Sequence, residues 1–199
     1  MSLPTPRITV FQRWLAEQRG LHFSRYEDLW QWSVNDLGAF WRAVWDFFAI
    51  ESPTPFDTVL ADARMPGAQW FPGAQVNYAQ QVVRHAAAAD AAGMPALLCH
   101  DEASLGRGAP EQVGWGELRR RVASMALALQ ELGVGPGDRV AAYLPNGTQA
   151  VVAFLACASI GAVWSICAPD MGTPAVVDRF SQVTPKVLIA ADGVHYAGR

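Results

Sequence analysis

Lys186 is the only lysine in the chain; the other basic side chains are arginines. That scarcity bounds the chemistry. A phosphate-cradling loop of the G-x-x-x-x-G-K-[ST] type needs a lysine that reaches the β- and γ-phosphates, whereas Lys186 opens an apolar run, VLIA, that reads as a strand, where solvent exposure is its expected role. Gly133-Val134-Gly135-Pro136-Gly137 is glycine-rich. It follows a helical pattern and precedes a strand, the reverse of a dinucleotide loop, so it reads as a turn. Ser159 and Ser165 lack a G-x-S-x-G elbow, which argues against a serine nucleophile. His22, His85, His100 and His195 are scattered without H-x-x-x-H spacing, so no metal site made by this chain alone is expected. Cys99, Cys157 and Cys167 contain no C-x-x-C pair and sit in apolar stretches. They read as reduced core thiols of a cytoplasmic protein.

The elements that would position any site follow from composition and period. Among 199 residues, 15 Lys+Arg against 18 Asp+Glu give a net charge of -3, and 51% hydrophobic residues supply a core. Without a basic cluster, a nucleic-acid partner is not expected. Nor does the N-terminus resemble a signal peptide. Residues 150–168 are uncharged over a length that could cross a bilayer. Their small residues and the central Gly161 fit a strand-helix-strand unit buried in an α/β core better, so no membrane partner is expected.

Six of the eight tryptophans, Trp14, Trp30, Trp32, Trp41, Trp45 and Trp70, fall in the first 70 residues. The composition shifts near residue 75, which predicts a helical and extended N-terminal extension over 1–75 and an α/β part over 76–199. A helix is expected at 9–19 with Gly20 as its stop. Ser24 with Glu27 reads as a capping box for the next helix. Ser33 reads as the cap of a third, whose Leu37, Phe40, Trp41, Val44, Trp45 and Phe48 form one aromatic face expected to pack onto the α/β core. The segment 51–74, with four prolines, reads as chain wrapped over a neighbouring domain. Next come a helix at 77–89, paired strands at 96–99 and 112–115, and a helix at 117–133. Strand 139–144, helix 148–159, strand 162–167, helix 173–182 and strand 186–190 then predict a parallel sheet.

In such a sheet ligands gather beyond the carboxyl ends of the strands, here at 145–147, 168–172 and 191–199. The alternative is an ordinary turn at each place, with Asn146 left-handed and Asp170 capping a helix.

Several stretches carry a resemblance: residues 26–48, WFPGAQVNYA at 70–79, GPGDRVAAYLPN at 135–146, 150–172, and DRFSQVTPKVLIAADGVHYAGR at 178–199. They resemble the N-terminal part of the acetoacetyl-CoA synthetase branch of the adenylate-forming acyl-CoA synthetase superfamily. The resemblance implies an α/β fold, the N-terminal part of an adenylate-forming enzyme's large domain, with a parallel-sheet βαβαβ core and a Trp-rich helical extension. The chain departs from the branch at Ile166, Ala168 and Met171, where two hydroxyls and an aromatic ring are expected, which bears on the acyl preference.

The activity implied is acetoacetate + ATP + CoA to acetoacetyl-CoA + AMP + pyrophosphate through an acyl-adenylate. ATP, CoA and Mg²⁺ would serve the complete enzyme. A phosphate loop and a catalytic lysine of that kind are missing, so these residues alone are not expected to catalyse; the remainder of the polypeptide is the partner they need. The resemblance also implies that His195, Tyr196, Ala197, Gly198 and Arg199 hold the CoA nucleotide, Arg199 on a phosphate and Tyr196 or His195 on adenine. A solvated terminal arginine is the alternative. Two other functions stay open: a ligase for acetate or another short acid, and a stand-alone α/β ligand-binding module.

Overall fold

Aromatic side chains organise the first of the two units, Met1–Val76 and Asn77–Arg199, into which the chain divides. The structure is a computed structural model that describes residues 5–101, 104 and 108–193. Three helices come first: α1 (Arg7–Arg19), α2 (Tyr26–Asn35) and α3 (Leu37–Phe47). Helix α1 stops at Gly20, whose left-handed backbone lets its N–H bond Ala16 O.

Both predicted serine caps are corrected. Helix α2 starts after Arg25, with no side-chain cap from Ser24; Arg25 instead lies 3.7 Å from Glu27 and 3.8 Å from Asp28. Ser33 is inside α2 and its hydroxyl donates back to Trp30 O. The cap of α3 is Asp36, whose Oδ1 accepts from Ala39 N at 2.9 Å, and its charge suits the positive helix end better than a hydroxyl does.

Leu15, Leu29 and Ala43 are buried among Phe11, Trp14, Phe23 and Trp32. The aromatic face of α3 meets partners inside its own unit. Trp45 lies between Phe71 and Phe56, at centroid distances of 4.7 and 5.0 Å, and Trp41 meets Trp70 at 5.9 Å. Those partners come from segment 51–74, which also holds the antiparallel strands β1 (Leu60–Asp62) and β2 (Gln69–Trp70). Gly73 is required there: its φ is +91°, and a Cβ would sit 2.9 Å from Pro55 O.

In the second unit the helix expected at 77–89 is two, α4 (Tyr78–Val83) and α5 (Ala86–Ala91), separated at Arg84–His85. The break falls at two polar residues with no glycine or proline to mark it, and it places Ala86 in the core at 3% exposure. Asn77 caps α4 by accepting from Gln80 N, while its amide donates to Ala158 O and Ser159 O.

Strands β3 (Leu97–Cys99) and β4 (Glu111–Val113) pair antiparallel. Trp115, expected to end the second strand, is instead the first residue of α6 (Trp115–Glu131), because Gly114 takes the extended cap position. Then follow β5 (Arg139–Tyr143), α7 (Thr148–Ser159), β6 (Val163–Cys167), α8 (Thr173–Val183) and β7 (Val187–Ala190). The three last strands form a parallel sheet in the order β6-β5-β7. Central β5 is flanked on both sides, and Val140, Ala141 and Ala142 are fully buried, as expected for a strand covered on both faces.

The uncharged run 150–168 divides into most of α7, a turn at Gly161 and β6. Among the described residues no helix is long and apolar enough to cross a membrane. Lys186 does more than face solvent: its Nζ donates to Asp138 Oδ2 at 2.9 Å and to Gly133 O. Asp138 Oδ2 also accepts from Gly135 N at 2.9 Å. The glycine-rich segment is therefore a turn, tied to the start of β7.

Candidate functional site

Topology places a crevice between the carboxyl ends of β5 and β6. Helices α6 and α7 cover the face carrying Val140, Trp164, Val187 and Ile189, whereas α8 lies against Tyr143, Leu188 and Ala190 on the other. The chain leaving β5 thus turns to one face and the chain leaving β6 to the opposite one, the arrangement that opens a ligand crevice in doubly wound sheets.

Three connections meet at this edge. At 145–147, Gly147 is the N-cap of α7 and its N–H bonds Pro145 O at 2.9 Å. Asn146 is exposed and is not left-handed; among the described non-glycine residues only Ala49, Phe71 and Thr184 have positive φ. At 168–172 the turn closes through Met171 N to Ala168 O at 3.0 Å. Gly172, not Asp170, caps α8, because Pro174 fixes the helix start and leaves Asp170 two residues before the cap. Beyond β7 the described chain reaches Gly193. His195, Tyr196, Ala197, Gly198 and Arg199, singled out for the CoA nucleotide, lie outside the described residues.

A cavity of about 840 Å³ opens on the α6/α7 face. Leu144, Pro145, Ile189, Ala190, Ala191 and Gly193 line it from the sheet edge, and Arg120, Arg121, Ser124, Met125 and Gln149 from the helices. Two of the three connections therefore share it; 168–172 does not. The arginines give it little net positive field. Arg121 Nε pairs with Glu117 Oε1 at 2.6 Å and its Nη1 lies 3.8 Å from Glu111 Oε1, while Arg120 pairs with the same Glu117. With charge compensated and the lining mostly apolar, the cavity suits apolar or neutral groups better than a bare phosphate.

Two polar constructions at this end carry no sequence signature. Tyr143, half-buried on β5, lies 2.8 Å by its Oη from Pro169 O and 3.0 Å from Met171 O. Thr148, 1% exposed at the start of α7, donates to Glu111 Oε2 at 3.0 Å and meets Cys99 Sγ at 3.1 Å. A strand tyrosine and a threonine after a turn are both common; only the fold gives them these partners.

Burial pushes the Cys157 thiol up to about 11, leaving it protonated and inert at neutral pH. No cluster of three or more His, Cys, Asp or Glu able to hold a metal occurs among the described residues.

The AMP-binding enzyme family model matches residues 83–198, and the model of the acetyl-coenzyme A synthetase N-terminus matches 26–82. The chain is 37% identical over 192 residues to the acetoacetyl-coenzyme A synthetase of Rhizobium meliloti (strain 1021), covering 96% of this chain and 28% of that protein. It is 38% identical over 202 residues to the acetoacetyl-CoA synthetase of Xenopus tropicalis, covering 97% of this chain and 28% of that protein. The solved acetoacetyl-CoA synthetase from Streptomyces lividans superposes with a TM-score of 0.87 at 51% identity, over 97% of this chain and 29% of that one. The chain thus spans little more than a quarter of the length of these relatives. An α/β core with its crevice at the carboxyl edge of a parallel sheet, matched by a family model over more than half its length, places this chain in the AMP-binding enzyme family.

Proposed function

We propose that the chain is the N-terminal part of an AMP-forming acid:CoA ligase acting on acetoacetate. The observation that carries this reading is the 51% identity to a solved acetoacetyl-CoA synthetase across 97% of the chain. Large apolar side chains left open on the sheet and its helices, Val163 at 50%, Val177 at 58% and Leu188 at 56% exposure, also favour a part of a larger protein over a stand-alone binding module.

In such a ligase the carboxylate of the acid attacks the α-phosphate of ATP and pyrophosphate leaves; the thiol of CoA then attacks the acyl carbon and AMP leaves. Mg²⁺ would offset phosphate charge in the first step. The paired arginines of the cavity are a poor triphosphate site. We therefore place the adenylate machinery in the remaining length and give this part the carboxyl-edge crevice. His195, Tyr196, Ala197, Gly198 and Arg199 are the proposed hold on the CoA nucleotide, and a cytoplasmic location suits the three free thiols.

The test is a substrate panel with the full-length protein. Acetoacetate, ATP, Mg²⁺ and CoA should give acetoacetyl-CoA, AMP and pyrophosphate, with acetoacetate preferred in kcat/KM. A wide preference for acetate would favour the second reading, a ligase for another short acid. The acetyl-coenzyme A synthetase N-terminus match at 26–82 favours that alternative, whereas WFPGAQVNYA at 70–79 and the 165–172 stretch stand against it. Within the same enzyme, Arg199→Ala should raise KM for CoA about tenfold, the scale of one charge-assisted contact, while acid-dependent ATP–pyrophosphate exchange without CoA is retained. An unchanged KM would leave Arg199 a solvated surface charge.

A further inference from the structure

We propose that the groove between α4 and α6 binds an anionic amphiphile, an aliphatic monocarboxylate whose head group is taken by Arg119. The groove has a volume of about 410 Å³ and is lined at one end by Ser159, the last residue of α7, and by Asn77, the cap of α4. The 145–147 connection lies at the other end of the 12-residue α7. At 1.5 Å per residue the two ends are roughly 17 Å apart, so this groove is separate from the carboxyl-edge crevice.

The run Arg119-Arg120-Arg121 is divided by the turn of α6. Arg120 and Arg121 both pair with Glu117. Arg119 lines the groove instead, and among the described residues it makes no hydrogen bond or ion pair. Beneath it the floor is apolar: Ala79 and Val122 are buried, with Val83 and Ala123 beside them. The other polar groups at the groove are mostly engaged already. The Asn77 amide donates to Ala158 O and Ser159 O while its Oδ1 accepts from Gln80 N, and the Ser159 hydroxyl donates to Ala156 O at 2.7 Å. That leaves the Arg119 guanidinium and the Gln80 carboxamide to meet a ligand. A peptide laid here would bring an N–H and a C=O with every residue and find too few partners. One carboxylate on an alkyl chain needs only a charged donor and an apolar floor. A guanidinium accepts such a head through two parallel N–H···O bonds, and a mostly apolar pocket with few polar groups is the usual form of a small-molecule site. Among the described residues no acidic side chain lines the groove to compete for Arg119.

Sodium octanoate titrated into the full-length protein tests this, followed by calorimetry and by hydrogen exchange. Binding should be saturable, and exchange should fall at 79–83 and 119–123 but not at 145–149. Arg119→Gln, at an exposed position where folding is not at stake, should raise the Kd for octanoate about tenfold, the scale of one charge-assisted contact. Ala123→Glu sets a carboxylate one helical turn from Arg119, where it should engage the guanidinium from within and abolish binding. Octanol, which lacks the charge, and acetate, which lacks the tail, should each bind about tenfold more weakly or worse. Both variants should keep acid-dependent ATP–pyrophosphate exchange with acetoacetate. Protection at 145–149 that survives Arg119→Gln would place octanoate in the crevice and overturn the proposal. Equal affinity for octanol, equal affinity for acetate, or no saturable binding would overturn it as well. Wild-type protein without pyrophosphate exchange would defeat the ligase reading instead, since nothing in the groove depends on it.

Discussion

Replacing Thr148 by valine exchanges a buried hydroxyl for a methyl of nearly the same volume, so neither a cavity nor a steric clash accompanies the loss of two contacts. The hydroxyl donates to the Glu111 carboxylate at 3.0 Å and meets Cys99 Sγ at 3.1 Å, tying the β3–β4 hairpin to the start of α7. A hydrogen bond to a charged acceptor contributes about 1.5–3 kcal/mol. Glu111 is about half exposed, and water can take over the vacated acceptor, which brings the estimate down to about 1–1.5 kcal/mol. The thiol contact adds only tenths of a kcal/mol because sulfur bonds weakly. Thr148→Val should therefore destabilise the second unit by about 1.5 kcal/mol, or roughly 5 °C in Tm for a unit of this size. Urea unfolding of the wild type, Thr148→Val, Glu111→Ala and the double variant forms a thermodynamic cycle. Its coupling energy should be about 1 kcal/mol. A coupling within about 0.3 kcal/mol of zero would refute the argument that this hydroxyl, and not the backbone around it, holds the hairpin to the helix.

Trp45→Ala should cost about 2–4 kcal/mol in unfolding followed by circular dichroism, below the full-burial range because the ring is half-buried between Phe56 and Phe71; a loss under about 1 kcal/mol would mean these contacts are not stabilising. The Gly135 N–H, and after it Lys186, hold the Asp138 carboxyl below its ordinary value of 3.8. A carboxylate depressed in this way stabilises the fold fully above that value, and the contribution is lost as pH falls through the lower folded one. Asp138→Asn should therefore lower stability at neutral pH and flatten the acid limb of the stability curve below about pH 4; an acid limb parallel to that of the wild type would contradict this.

Much of the second unit is written locally. Gly133 and Gly137, the apolar run at 139–144 and the Thr173-Pro174 start each act over a few residues, so strand, helix and turn follow from the chain alone, and the observed bounds of β5, α7, α8 and β7 lie within a residue of expectation. Local reading failed where two nearby signals competed. Ser33 and Asp36 are both good caps, and the choice went to the one whose side chain reached a free N–H. After Asn77 no glycine or proline stands before Gly93, so no local breaker marks the interruption at Arg84–His85.

The functional edge divides along the same line. The alternation of strands and helices predicts that ligands gather beyond the carboxyl ends, because a parallel sheet directs all its following connections there. Which side chains meet at that edge depends on strand order and register, which bring together residues far apart in the chain: Tyr143 with Pro169 and Met171, Thr148 with Glu111 and Cys99, and Lys186 with Asp138 across 48 positions. A tyrosine, a threonine or a lysine carries no periodic trace of a partner that distant. The sequence by itself therefore determined the elements and the edge where they end, while only the tertiary structure decided which polar groups are clamped there, since hydrogen-bond partnership is set by atomic distance and not by spacing along the chain.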